Sequence, residues 1–177
     1  MKITPTQEHK DIEEVIKFLV GHISKKCRNE KPLITHSLTV GFKAQELGFS
    51  HSAVLAGFLH DCVEDTNCQL KEVEKEFGKE VARLVDALTQ LKIKDYKLKW
   101  EKYLAKIIKV GKEAMFLKLI DGDANLQYLP LVKSKEDLEQ IFWKMNFTMK
   151  TFKPTIGKTA IFKNYQKNAL AAIKKLS

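Results

Sequence analysis

Two runs of residues carry the chemistry that can be read from this chain. The first is His60-Asp61 followed by Glu64-Asp65, at the end of the apolar segment Ser52-Ala53-Val54-Leu55-Ala56-Gly57-Phe58-Leu59. A stretch so suited to burial rarely ends in that much charge without a use. The second is Asp121, which follows Phe116-Leu117-Lys118-Leu119-Ile120, with Asn125 four residues further and therefore on the same helical face. A carboxylate in a buried segment needs a partner, and a metal ion is the usual one. His36 opens another helix directly after the loop at Lys31-Pro32, a position from which its side chain can project into a cleft.

Together His36, His60, Asp61 and Asp121 offer two imidazoles, two carboxylates and no thiolate. That mixture suits a divalent ion of intermediate hardness, Mn²⁺ or Fe²⁺ in preference to Zn²⁺, with octahedral positions left for water. An ion so held lowers the pKa of water and orients it at a phosphorus centre. On one continuous helix His60 stands over Glu64 and Asp61 over Asp65. Glu64 and Asp65 are thus placed for one to take the proton of the attacking water and the other to hold that water in line. An isolated His-Asp pair would ordinarily be a surface feature of a helix end; His36 upstream and Asp121 downstream set this one apart. Cys62 should point into the core, His9, His22 and His51 are assigned to the surface, and Asp123 is expected to be exposed on the side of the helix away from Asp121.

The elements that must position these groups are helical. Apolar residues recur at helical spacing almost throughout, and no strand-like alternation persists, so the fold class is all-α. Thr6 or a neighbour caps a first helix burying Ile12, Val15, Ile16, Leu19 and Ile23 and ending near Lys26 to Asn29. A second helix runs from about Thr35 to Leu47. Ser50 caps a third that carries the His60-Asp61 motif to about Thr66. Gly78 separates helices over 69–77 and 79–91, and Lys92 to Asp95 form a loop. Gly111 separates helices over about 97–110 and 113–129, the latter ended by Pro130. Two amphipathic helices joined around Lys153-Pro154 complete the chain. With no repeat or Gly/Ser-rich linker, residues 1–177 are expected to form a single domain, the C-terminal helices of 131–177 packing on the rest.

Composition narrows the partners. The 177 residues carry a net charge of +9, but of 31 basic residues only Arg28 and Arg83 are arginine. Sequence-reading nucleic-acid binders concentrate arginine for bidentate contacts, so nucleic acid is not an expected partner. A spread of lysines reads as a solvated surface whose field attracts polyanionic small molecules. No apolar run approaches the roughly 20 residues of a membrane span, and none resembles a secretory signal, so no membrane partner is expected. Cys27, Cys62 and Cys68 form no CxxC pair, which fits a reducing cytoplasm.

Over roughly residues 8 to 130 this order of residues resembles the HD-domain metal-dependent phosphohydrolases, and among them the hydrolase domain of RelA/SpoT-type proteins and the small stand-alone alarmone hydrolases. Leu59-His60-Asp61-Cys62-Val63-Glu64-Asp65-Thr66 is similar to the family's central motif. Lys31 to His36 resembles the segment supplying its first metal histidine, and Lys118-Leu119-Ile120-Asp121 with Asn125-Leu126 its third motif. Phe77 to Thr89 also follows the family pattern while carrying no catalytic group, as a shared scaffold would. The resemblance implies Mn²⁺-dependent hydrolysis of the 3′-pyrophosphate of guanosine tetra- or pentaphosphate, releasing pyrophosphate. His36, His60, Asp61 and Asp121 would bind the metal, Glu64 and Asp65 would activate water, and Lys25, Lys26 and Asn125 would bind the nucleotide.

The chain departs from the family at positions that bear on the substrate. Leu33 stands where tyrosine is usual, Ser37 where proline is usual, Lys25 where an arginine can stack on guanine, and Gly122 where lysine or arginine follows the third-motif aspartate. The ligand set survives all four. An HD hydrolase of another nucleotide or of a 3′-phosphorylated dinucleotide cofactor is therefore the alternative, and a catalytically silent nucleotide-binding scaffold the second. No synthetase-like or regulatory segment follows, so a bifunctional enzyme is not expected.

Overall fold

A computed structural model of the chain describes residues 4, 6–23 and 31–176. Lys25, Lys26, Cys27 and Arg28 lie outside the described residues. The helices are α1 (Gln7–His22), α2 (Leu33–Glu46), α3 (His51–Leu59), α4 (Cys62–Asp65), α5 (Leu70–Phe77), α6 (Lys79–Leu88), α7 (Tyr96–Val110), α8 (Lys112–Asn125), a 3-10 turn (Leu126–Leu131), α9 (Lys135–Ile156) and α10 (Ala160–Leu176). No strand occurs among the described residues, so the fold is all-α as expected. No described helix is long and apolar enough to cross a membrane. The helices group into two compact units, one within residues 1–89 and one within 90–177.

In the first unit α3 packs against α1, α2 and α6. Its residues Ala53 to Leu59 are all buried, which is why this helix reads as apolar on every side. Ser50 caps it, its hydroxyl accepting from Ala53 N at 3.2 Å. Where α2 crosses α3, Gly41 lies against the ring of Phe58, and a Cβ at 41 would overlap that ring. Thr6 and His9 form a reciprocal capping pair at the start of α1. Its buried face is Ile12, Val15 and Leu19, with Ile16 and Ile23 half-buried rather than buried.

Several boundaries differ from expectation. α1 ends at His22 because Ile23 turns extended and the His22 ring takes the Phe18 carbonyl at 2.8 Å, one of the last-turn acceptors. The third helix is interrupted at His60-Asp61. There the His60 ring Nδ1 bonds the Gly57 carbonyl at 2.8 Å, where a continuing helix would place the Asp61 amide. Gly78 and Gly111 take φ of 88° and 125°, values that favour glycine, and so separate α5 from α6 and α7 from α8.

In the second unit α8 packs against α7, α9 and α10. Asp95, expected in a loop, caps α7 by accepting from Leu98 N at 2.7 Å. Pro154 lies inside α9 rather than at a joint. Pro154 and Lys150 sit on the exposed face, where solvent can satisfy the Lys150 carbonyl, while Phe152 and Ile156 carry the buried face onward. The joint falls at Gly157 to Thr159. Buried Trp100 donates its indole N–H to Thr148 Oγ1 at 3.0 Å, joining α7 to α9.

Candidate metal centre

The first unit brings three of the expected ligands together. His36 lies in the first turn of α2, its amide bonded to the Pro32 carbonyl at 3.0 Å, so the rigid entry at Pro32 fixes where the imidazole starts. His60 follows the last residue of α3, and Asp61 precedes the first of α4. His36 is fully buried, His60 is 2% exposed and the Asp61 side chain is 13% exposed. The distance between His36 Nε2 and His60 Nε2 is 3.1 Å, from His60 Nε2 to Asp61 Oδ2 3.2 Å, and from His36 Nε2 to Asp61 Oδ2 3.5 Å.

Those separations match a coordination shell. An ion bonded at about 2.1 Å has ligand–ligand edges of about 3.0 Å if octahedral and about 3.4 Å if tetrahedral. The chemistry agrees with the geometry. A backbone carbonyl only accepts, so His60 Nδ1 donates to Gly57, and the neutral ring presents its Nε2 lone pair to the cluster. Two imidazole nitrogens and a carboxylate oxygen, buried and convergent, fit a divalent metal ion.

Lysine enters where the sequence reading saw only a loop marker. Lys31 Nζ forms an ion pair with Asp61 Oδ2, and its side chain is 14% exposed. Thirty residues separate the two, and no spacing rule announces the pair. Ser37, in the position where the resembled family has proline, is fully buried on α2.

Glu64 and Asp65 follow on α4, Glu64 half-buried and Asp65 7% exposed. The expected stacking over one uninterrupted helix is corrected by the break at His60-Asp61. The Asp61–Asp65 register nonetheless survives, the Asp65 amide reaching the Asp61 carbonyl at 2.8 Å. Cys62 is fully buried, as expected.

Asp121 belongs to the second unit. It lies on α8, is 6% exposed, and is held from both sides: Lys118 Nζ reaches Oδ2 at 2.6 Å and Asn125 Nδ2 reaches Oδ1 at 2.6 Å. Asn125 thus shares the face of Asp121, as its spacing required. Lys118 is three residues before Asp121, so the same rule could have found it. Burial by itself would push the Lys118 ammonium toward its neutral form. The Asp121 carboxylate, helped by Tyr103 and Tyr165, outweighs that and holds its pKa well above the ordinary lysine value. Lys118 also stands 5.1 Å from the Trp100 ring centre and 5.5 Å from that of Tyr103.

Two surface assignments are corrected here. Asp123 is half-buried and accepts from Asn168 Nδ2 at 2.8 Å, because α10 covers that side of α8. His22 is half-buried too, its Nε2 3.5 Å from Glu72 Oε1. His9 and His51 are exposed as expected. Gly122 is also explained: a Cβ there would stand 2.8 Å from the Tyr165 ring. The lysine or arginine of the resembled family has no room at this position.

Comparison with known proteins identifies the family. The HD domain family matches residues 17–110, and the chain belongs to that family. A protein of Aquifex aeolicus named guanosine-3′,5′-bis(diphosphate) 3′-pyrophosphohydrolase is 33% identical over 127 residues, which are 70% of this chain and 18% of that protein. A probable GTP pyrophosphokinase of Mycobacterium leprae is 44% identical over 70 residues, 40% of this chain and 9% of that protein. The chain therefore spans less than a fifth of the length of these curated relatives. Among solved structures, one described as a metazoan ortholog of SpoT that hydrolyzes ppGpp superposes with a TM-score of 0.75 at 22% identity, covering 96% of this chain and 97% of the other. A Listeria monocytogenes structure matches with a TM-score of 0.66 at 25% identity, covering 78% and 99%.

Proposed function

We propose that the chain is a metal-dependent phosphohydrolase that removes the 3′-pyrophosphate of guanosine tetra- or pentaphosphate. The observation that carries the reading is the buried convergence of His36, His60 and Asp61. Two buried imidazoles and a carboxylate brought within 3.5 Å of one another make a set of donors that a divalent cation can bind. The names of the Aquifex and metazoan relatives supply the substrate class.

In this reading Asp121 is the fourth ligand and Mn²⁺ the ion, which supplies a polarising charge at the scissile phosphorus and makes water more acidic. The rest is done by the chain. His60 is oriented by Gly57, so its Nε2 cannot swing away. Glu64, half-buried on α4, takes the proton of the attacking water, and buried Asp65 holds that water in line. Asn125 meets the nucleotide from beside Asp121, and Lys25 and Lys26 meet its base and phosphates. The reaction takes place in the cytoplasm, within a single HD domain.

A second reading, an HD hydrolase of a different nucleotide, is favoured by Leu33 and Gly122. Leu33 is 4% exposed and offers no aromatic face to a base, and Tyr165 occupies the space a cationic side chain at 122 would need. A Mn²⁺-dependent screen of nucleotides, with pyrophosphate and orthophosphate detected separately, decides between the two. Pyrophosphate released from guanosine tetraphosphate is the expected result. Orthophosphate alone, from other nucleotides only, overturns the guanosine reading.

A further inference from the structure

A second group of metal-ligating residue types, sharing no member with His36, His60 and Asp61, lies within the first unit. His22 ends α1, Cys68 lies in the turn between α4 and α5, and Glu72 is in the first turn of α5. A nitrogen, a sulfur and an oxygen from these three come within 4.8 Å of one another. We propose that His22, Cys68 and Glu72 form a Zn²⁺ site that fastens the end of α1 to the segment following Glu64-Asp65.

Each ligand is already oriented by a neighbour. His22 Nδ1 is bonded to the Phe18 carbonyl at 2.8 Å, and since that carbonyl only accepts, Nδ1 carries the proton. In the neutral ring Nε2 is then a lone pair aimed at Glu72 Oε1, 3.5 Å away. A lone pair facing a carboxylate is repulsive, and a proton or a metal cation between the two removes the repulsion. Burial opposes the proton, but the Phe18 carbonyl, Cys68 and Glu72 outweigh it and raise the His22 pKa, so a metal displaces a proton here. A backbone acceptor behind the outer nitrogen is the arrangement that orients histidine toward a metal. Glu72 is fixed in the same sense: its Oε2 accepts from the Gln69 amide at 2.7 Å in a capping box, which leaves Oε1 turned to His22.

The third ligand selects the ion. Cys68 is 2% exposed, and its amide is bonded to Thr66 Oγ1 at 3.0 Å, which sets the turn that presents the sulfur. Cys62 is close enough to Cys68 for each thiol to shift the ionisation of the other, so a second sulfur lies nearby. A nitrogen, sulfur and oxygen set is borderline-soft and suits Zn²⁺ in tetrahedral geometry, the fourth position going to water or to the Cys62 sulfur. The side chains of His22 and Glu72 are 23% and 48% exposed, which gives the ion a way in. On binding, the Cys68 S–H bond breaks, the sulfur bonds to zinc and the proton passes to solvent, with no change of oxidation state.

The site is tested by titrating the metal-stripped, reduced full-length protein with Co²⁺ and then displacing it with Zn²⁺. A thiolate-to-cobalt charge-transfer band is expected, bleached by Zn²⁺ and lost in Cys68→Ser. His36, His60, Asp61 and Asp121 include no thiol and cannot produce it, so the result is independent of the hydrolase reading. Should Cys68→Ser fail to fold, His22→Gln and Glu72→Gln alter partly exposed positions, and each should lose high-affinity Zn²⁺ binding with an unchanged helical circular dichroism spectrum. A wild-type titration without the band, a band that survives Cys68→Ser, or Zn²⁺ affinity unchanged in both His22→Gln and Glu72→Gln overturns the site. Such a result leaves His22 and Glu72 as an ordinary ion pair.

Discussion

His60 Nε2 stands 3.1 Å from His36 Nε2, and the ring of His60 is locked to the Gly57 carbonyl from its other side. The two nitrogens come from residues 24 apart in sequence, yet they are spaced as neighbouring vertices of one coordination shell. Asp61 Oδ2 completes the triangle. Removing a vertex differs from removing a group beside it. Asp61→Ala should therefore lose bound metal and activity together, whereas Glu64→Ala should retain metal and lose rate, by roughly 10²-fold or more for a general base. Metal content measured beside turnover checks this, and equal metal loss in both variants would make Glu64 a ligand.

The same triangle predicts a thermal signature. An ion that binds the folded chain and not the unfolded one adds stability of about 2.7 kcal/mol at a hundredfold excess over its dissociation constant. Mn²⁺ should raise the melting temperature of the wild type and leave that of His36→Gln unchanged. Equal rises in both proteins would place the stabilising ion elsewhere.

Lys31 places an ammonium on the oxygen of Asp61 that a metal would use. The two cations compete for one carboxylate oxygen and repel each other. Lys31→Met should consequently bind Mn²⁺ more tightly, by up to about tenfold, the equivalent of about 1.4 kcal/mol. A competition titration at fixed ionic strength measures it. Unchanged or weaker binding would mean that Lys31 holds the carboxylate in its pose rather than contesting it.

What could be read from the sequence was whatever depends on local spacing. The apolar run ending in His60-Asp61 announced a buried helix, and it is the one packed on α1, α2 and α6. The i, i+4 spacing placed Asn125 beside Asp121, and the i, i+3 spacing would have found Lys118. The misreadings came where a side chain competes with the backbone or where a distant element intervenes. The His60 ring takes a helical carbonyl, so α3 stops at the motif instead of carrying it to Thr66. The Lys31–Asp61 pair and the cover of α10 over Asp123 join residues 30 and 45 positions apart, and no periodicity encodes them.

Gly41 controls how closely α2 approaches α3, and with it the relation of His36 to His60. An alanine at 41 would force the fully buried Phe58 ring to move. Overpacking of this kind costs about 1–3 kcal/mol, so Gly41→Ala should lower the unfolding free energy by that amount. Because the two helices carry the histidines, it should also weaken Mn²⁺ binding. Phe58→Leu in the same chain should restore part of both, as measured by chemical denaturation and metal titration.

Gly122 and Tyr165 are matched in the same way in the second unit. Tyr165 is 4% exposed, and burial, opposed by Lys118 and reinforced by Asp121 and Asp123, pushes its hydroxyl pKa up to about 12. It is thus a neutral ring across the physiological range, filling the space beside the glycine. Gly122→Ala brings a methyl to 2.8 Å from that ring and should cost about 1–3 kcal/mol, despite alanine's better helix propensity of about 1 kcal/mol. Gly122→Lys should cost more and should not strengthen nucleotide binding, because α10 closes the space into which the ammonium would have to pass. Combining Gly122→Lys with Tyr165→Ala opens that space and should recover stability relative to Gly122→Lys alone. Thermal denaturation of the single and double variants reads the coupling directly, and purely additive losses would show that the ring and the glycine are not matched.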